Sequence, residues 1–331
     1  MAGGPIEVVV SPVDGQQSFD GEPFPLVHEC RTDGASLDSI DDWVRQSRAT
    51  LDRQAFDNGT VLFRGFPLST DQDLDRFICA FEYPNFPYEE SLSNAVRVNR
   101  TERVFTANEA PSDVTICLHH EMAQTPVYPS RLFFFCEQPA EQGGATPLCR
   151  SDVLFERLKE EFPEFVGDCE TKGLLYTNIM PVENDPTSGM GRSWQSTFRA
   201  ETPEAAEDQL QKLGYSWEWL PDGCLRSTTP VLQAVMEIEP GRKVFFNQLI
   251  AAFHGWKDSR NDPTQAITFG DGSAIKPETM HQVAAIAENL TFDVAWKKGD
   301  VALVDNRVVM HGRRIFSGTR KVLASLVAMD A

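Results

Sequence analysis

The chain has 331 residues, 41% of them hydrophobic, which suffices for a large buried core and excludes an extensively disordered polymer. Its 49 acidic against 30 basic side chains give a formal charge of −19, whose field repels phosphate backbones and anionic lipid, so nucleic acid and membrane surfaces are excluded as expected partners. A small anionic ligand stays compatible, because one arginine in a low-dielectric pocket outweighs distant, screened carboxylates.

In chain order, the opening "MAGGPIEVVV" lacks a basic region and a long apolar segment, and no window approaches the ~20 apolar residues of a membrane span. A cytoplasmic protein is expected. Leu37, Ile40, Trp43, Val44 and Leu51 recur at three- and four-residue steps behind Ser36, predicting a capped helix over 37–54. "GTVLFRGF" predicts a strand, and a second helix runs from Ser69 or Thr70 through "DLDRFICAF". Strand-like runs then dominate: "ERVFTA", "SRLFFFCE", "GLLYTNIM", "YSWEWL", "AVMEIE", "KVFFNQL", "FDVAW", "DVALVD", "RVVMHGR" and "KVLASLVA". Helices are predicted in "TPEAAEDQLQKLG", behind Thr202 and Pro203, and over 276–290. Residues 181–200, rich in Pro, Gly, Asn and Ser, read as a long surface excursion of the kind that covers active sites.

This pattern predicts a single domain over 1–331, with a mixed α/β part over 1–100 and a core over 101–331 that carries an insertion at about 181–214. The fold class is mainly β with peripheral helices (α+β). Roughly ten strands fit a double-stranded β-helix, the jelly-roll or cupin-like barrel, better than a doubly wound sheet. The seven cysteines are odd in number, scattered and never spaced CxxC, which argues against a disulfide framework and a zinc ribbon.

Residues 118–124 read "LHHEMAQ". On a helix this would be the place for HExxH, but Gln124 stands where the second histidine belongs. At a strand end, alternation would put His119 and Glu121 on one side and His120 on the other. A third ligand must come from the cysteines, the carboxylates or the remaining histidines, His28, His254, His281 and His311. His311 ends the strand-like run in "DVALVDNRVVMHGRRIF", between the polar Asn306 and Arg313, whereas His281 lies on a predicted helix, His28 near the N-terminus and His254 in a predicted loop. One carboxylate and two neutral imidazoles on one side of an ion leave open positions opposite, which suits Fe(II) and dioxygen. Zinc tolerates the same set with one open position, so a zinc-dependent hydrolase is the alternative from another class, and a metal-free binding barrel is the second.

"VLFRGF", "HHEMAQ", "GGATPL", "VDNRVVMHGRR" and "TRKVLASL", in this order and covering most of the chain, resemble the taurine-dioxygenase (TauD/TfdA-like) family of Fe(II)- and 2-oxoglutarate-dependent oxygenases. "FTANE" and "RSWQSTF" further resemble a plant and microbial branch near the amino-acid hydroxylases of natural-product pathways. The resemblance implies an iron triad of His119, Glu121 and His311, with 2-oxoglutarate bound by Thr146 and its distal carboxylate clamped by Arg320. A planar guanidinium with a hydroxyl beside it is chemically apt for that carboxylate. Arg313 and Arg314 compete for the role, but they follow His311 too closely, while Arg320 lies beyond the turn "FSGT" on the next strand. Some relatives carry a second arginine four residues further on, where this chain has Ala324. Relatives that transfer halide lack the carboxylate ligand, so Glu121 argues against halogenation.

The resemblance also implies the reaction: oxidation, most simply hydroxylation, of a C–H bond in an amino acid or similar small polar acid, free or tethered to a carrier protein. Dioxygen would be the co-substrate, and succinate and CO2 would be released. Desaturation, epoxidation and ring closure by the same oxidant are the alternatives. Asn108 and Glu109 before the metal strand, Arg192 and Trp194 in the covering segment, and Asn247 after "KVFF" are the candidate substrate contacts.

Overall fold

A computed structural model describes residues 5–88, 91–93, 95–107, 110–188, 190–256, 258–263 and 265–329. Seven strands form one sheet in the order Val8–Val10, Leu26–Cys30, Thr60–Arg64, Val301–Asp305, Pro129–Gln138, Lys321–Met329 and Phe105–Thr106. Leu26–Cys30 and Thr60–Arg64 run parallel, and helix Leu37–Asn58 makes the crossover that a parallel pair requires. Strand Thr60–Arg64, from the first hundred residues, thus sits against Val301–Asp305, near the far end of the chain.

Period-two alternation sorts the central strands. Val61, Phe63, Phe133, Phe135, Val301 and Leu303 face helices Leu37–Asn58 and Asp71–Cys79. Leu62, Leu132, Phe134, Ala302 and Val304 face the other way, onto Leu148, Phe292, Val294 and Val309 of a second sheet. That sheet has the order Thr291–Val294, Thr146–Arg150, Val309–Arg313, Ile116–His119. Its outer face, with Leu118, Cys149 and Met310, is covered by helices Ser151–Glu161, Pro163–Lys172, Leu249–Gly255 and Pro277–Asn289. Two packed sheets therefore lie between two layers of helix.

The expected helix caps are present: Ser36 accepts from the Ser39 amide, Thr70 forms a reciprocal capping box with Asp73, and Thr202 accepts from the Ala205 amide. Three expectations change. Residues 151–172 form two helices that carried no distinct strand or turn signal. The run "KVFFNQL" is a strand only over Arg242–Val244; Asn247 accepts from the Leu249 amide, and the chain turns into a helix that takes up His254. Residues 181–200 are not a surface excursion throughout, because Met190 joins the core beneath the second sheet, while Trp194 and Phe198 of helix Trp194–Phe198 pack with Met180 and Leu225. Met180 and Leu225 belong to a third sheet, Ser216–Trp219, Leu225–Thr228, Leu174–Met180, Ile267–Phe269.

A buried ion cluster ties helix Ser151–Glu161 to the scaffold. Asp152 accepts from Arg150 Nε at 2.9 Å and from Arg242 Nε and Nη2 at 3.0 and 2.8 Å. Burial pushes its carboxyl up, but the Arg150 and Arg242 guanidiniums outweigh that and hold it below its ordinary value. Asp152→Ala takes the carboxylate from buried Arg150 and half-buried Arg242 and is expected to cost about 3–5 kcal/mol in urea denaturation at pH 7. A carboxyl depressed in the folded state stabilises fully above its unfolded value of about 3.9. The gap between wild type and variant should therefore close as pH falls below about 4.

Candidate active site

His119 and His311 are direct cross-strand partners on Ile116–His119 and Val309–Arg313, with ring centroids 4.4 Å apart. The close approach requires Gly312, where a Cβ would lie 2.4 Å from the Ile116 carbonyl oxygen. Glu121 lies beyond the end of the strand, so alternation is not what brings it to His119. A turn does so, with Met122 in the left-handed region at φ 60°. Asn306 holds this turn: its Oδ1 accepts the Glu121 amide at 2.8 Å, and its Nδ2 donates to the Glu121 carbonyl at 3.0 Å and the Pro129 carbonyl at 2.7 Å. His120 faces away, its ring 4.7 Å from Phe246 and its Nδ1 against the Asn306 carbonyl. The potential donor atoms of His119, Glu121 and His311 all lie within 4.8 Å of one another, and no other such cluster occurs among the described residues.

These three side chains suit a divalent ion. His119 Nδ1 contacts the Cys117 carbonyl at 2.8 Å, which assigns the proton to Nδ1 and leaves the Nε2 lone pair for a ligand. Burial, then the neighbouring His311, pulls His119 down to about 4, so the imidazole is neutral at physiological pH. Burial alone would raise Glu121, yet the Arg97 guanidinium and the two imidazoles more than reverse this and keep it ionised. Arg97 Nη2 lies 3.0 Å from both Glu121 oxygens, and the guanidinium stacks 5.5 Å from Tyr88 and 5.3 Å from Phe105. Two imidazoles and one ionised carboxylate are the donor set expected for a non-heme ferrous centre.

The triad stands between two cavities, and Arg97, Ile116, His119 and Glu121 line both. The smaller also contains Thr146, His311, Arg320 and apolar Phe134, Val322 and Ala324. Arg320 Nε donates to the Gly144 carbonyl at 2.8 Å, and Nη2 approaches Thr146 Oγ1 at 3.3 Å, while Trp296 Nε1 donates to the same hydroxyl at 2.9 Å. Gly144, at φ 71°, admits this approach, since a Cβ there would lie 3.0 Å from Arg320 Cδ. No carboxylate lies within ion-pair distance of Arg320 among the described residues, and burial, then Arg313, brings its guanidinium down to about 10. Arg313 instead donates to the carbonyls of Ala110, Pro111 and Val114, and Arg314 pairs with Asp293 and Glu288. The larger cleft is lined by Ser93, Thr115, Gln124, Met190, Gln248 and Trp256 among others.

The expected substrate contacts fall elsewhere. Asn108 and Glu109 lie outside the described residues. Arg192 donates to the carbonyls of Ser91, Ser93 and Ser196, tying the 91–93 segment to helix Trp194–Phe198. Trp194 is packed edge-on against Trp219, and Asn247 caps helix Leu249–Gly255 and accepts the His120 amide through its carbonyl. None of these three lines the larger cleft. Sequence reasoning missed Arg97, Gln124, Gln248 and Trp256. Arg97 sits in "NAVRVNR", which carries no spacing signal; Gln124 was in view only as the residue that spoils HExxH.

Comparison with known proteins shows the family. Residues 22–326 match the model of the taurine catabolism dioxygenase TauD, TfdA family. A clavaminate synthase-like protein of Arabidopsis thaliana is 39% identical over 325 residues, covering 96% of this chain and 98% of the relative. The dapdiamide synthesis protein DdaC of Enterobacter agglomerans is 29% identical over 321 residues, covering 93% and 92%. Among solved structures, AAD-2 in complex with Mn(II) and N-oxalylglycine superposes with a TM-score of 0.56 at 12% identity, covering 98% of both chains. PvcB of Pseudomonas aeruginosa does so at 0.54 and 14%, covering 98% of this chain and 92% of PvcB, and likenesses this distant speak to the fold alone. On the family match across nearly its whole length, the chain belongs to the TauD/TfdA family of 2-oxoglutarate-dependent dioxygenases.

Proposed function

We propose that this dioxygenase holds Fe(II) on His119, Glu121 and His311, binds 2-oxoglutarate in the cavity of Thr146 and Arg320, and oxidises an unactivated C–H bond of a small polar substrate in the larger cleft. The favoured reaction is hydroxylation of an amino acid or derivative, free or tethered to a carrier protein, with release of succinate and CO2. On this reading the two packed sheets are a jelly-roll, double-stranded β-helix core, within one domain over 1–331. The observation that carries the proposal is that His119 and Glu121 wall two cavities, only the smaller of which contains an arginine without a carboxylate partner among the described residues. The likeness to a dapdiamide synthesis protein supports a place in natural-product chemistry.

Iron with 2-oxoglutarate and dioxygen supplies the oxidising power when bound. The chain's residues bind, orient and exclude water. Arg320, desolvated and without a carboxylate partner among the described residues, pairs with the distal carboxylate, and Thr146 completes that carboxylate's shell. Phe134, Val322 and Ala324 supply apolar wall, which strengthens the ion pair by lowering the local dielectric. Arg97 occupies one edge of the Glu121 carboxylate, which restricts how that group can be presented to a metal.

Anaerobic addition of Fe(II) and then 2-oxoglutarate should give a weak visible charge-transfer band, and oxygen should then yield succinate coupled to oxidation of the correct amino acid. One bound iron without the band would overturn the proposal. Glu121→Ala should lose stoichiometric iron and the band together. Arg320→Leu should raise the Kd for 2-oxoglutarate by about 10–100-fold, the loss of a hydrogen-bonded charge worth about 1.5–3 kcal/mol, with metal binding unchanged. Asn306→Ala, which keeps all three ligands, should weaken Mn(II) binding by about 10–100-fold in an anaerobic titration.

A further inference from the structure

A third, small cavity adjoins the larger cleft, with Gln124 and Trp256 lining both. Its wall includes Asn178 on Leu174–Met180 and Ser227 on Leu225–Thr228, which are register partners, and Thr197 on helix Trp194–Phe198. Gln124 is 6% exposed, Asn178 6%, Thr197 3% and Ser227 1%. Among the described residues, Gln124 Oε1, both polar atoms of the Asn178 carboxamide, Thr197 Oγ1 and Ser227 Oγ have no hydrogen-bond partner. Three other polar side chains of the wall have partners: Thr229 Oγ1 accepts the Tyr176 amide, Tyr176 OH accepts the Gln248 amide, and Thr125 Oγ1 donates to backbone carbonyls.

Leaving a buried polar group unpaired costs about 1–3 kcal/mol, and folded proteins pair the large majority of such groups. Four side chains with this deficit around one space call for a hydrogen-bonding occupant. The wall contains no charged residue, so neither a carboxylate nor an ammonium would find a counter-charge, and burying either unpaired is costly. Asn178 offers one donor and one acceptor edge whichever way its amide is turned, Gln124 offers an acceptor, and the two hydroxyls adapt to either need. The complement is an uncharged group with both N–H donors and a carbonyl acceptor.

We infer that this cavity is a side pocket of the substrate site that takes an uncharged carboxamide or ureido end of the substrate, while the rest of the molecule lies in the cleft beside the triad. The inference rests on the larger cleft being the substrate site and deepens that reading by naming the chemistry of the substrate's far end. The covering segment contributes directly, since helix Trp194–Phe198 places Thr197 and Phe198 in the pocket wall.

Calorimetric titration of the full chain with L-asparagine, L-glutamine and L-citrulline, against L-aspartate, L-glutamate and L-leucine, tests this with the chain metal-free and again with Mn(II) and 2-oxoglutarate present. At least one neutral amide or urea should bind about tenfold or more tightly than its acid counterpart and than leucine. Asn178→Leu should abolish that preference with no loss of thermal stability, and Ser227→Ala and Thr197→Val should each reduce it should Asn178→Leu fail to fold. Equal binding of amides, acids and leucine, binding of none of the amides, or an undiminished preference in the folded variants would overturn the inference and leave the pocket to ordered water. Failure of the iron reading would show separately, as absence of Mn(II) binding, and leaves the metal-free titration decisive for the pocket.

Discussion

The carboxamide of Asn306 fixes the site. It grips Glu121 from both sides of its peptide unit across 185 residues of sequence, accepting the amide and donating to the carbonyl. A turn with Met122 at positive φ would not persist on local propensity alone, and the same side chain's bond to Pro129 anchors it to the start of a central strand. Gln248 adds a second hold, donating to the His120 carbonyl at 3.0 Å from the opposite helix layer. The histidine pair is placed by sheet register, and the glutamate by this clamp.

The clamp works because its own foundation is rigid. Asn306 follows Val301–Asp305, a strand buried on both faces and flanked by Thr60–Arg64 and Pro129–Gln138. Asp305 beside it is fully buried and paired with Arg131 at 2.7 Å and Arg307 at 2.9 Å. A polar corner is thereby built at the edge of an apolar sandwich, and each of its charges has a partner.

Charge is then distributed so that the two sides of the triad differ. The smaller, partly apolar cavity holds the desolvated guanidinium of Arg320; Arg97, which lines both cavities, is already engaged by Glu121, and the larger cleft sets the hydroxyls and amides of Ser93, Thr115, Gln124 and Gln248 among apolar wall and Trp256. A chain with net charge −19 can still present a strongly anion-seeking pocket, because low dielectric amplifies the near charge and solvent screens the far ones.

Much of this was legible in the sequence. Helix caps at Ser36, Thr70 and Thr202 and the β-branched and aromatic strand runs "VLFRG", "LFFFC" and "VALVD" depend on neighbours within a few residues, so local pattern suffices for them. The grouping of His119, Glu121 and His311 was reachable because so few histidines compete, and Thr146 and Arg320 came from resemblance rather than from any spacing rule. The orphaned amides and hydroxyls around Asn178 left no trace in the sequence, since a polar residue on a strand looks the same whether its partner is water, protein or ligand. The roles of Arg97, Asn306 and the pocket wall were decided by tertiary structure alone, because a hydrogen bond between groups 24 or 185 residues apart, or the lack of one, exists only once the sheets have packed.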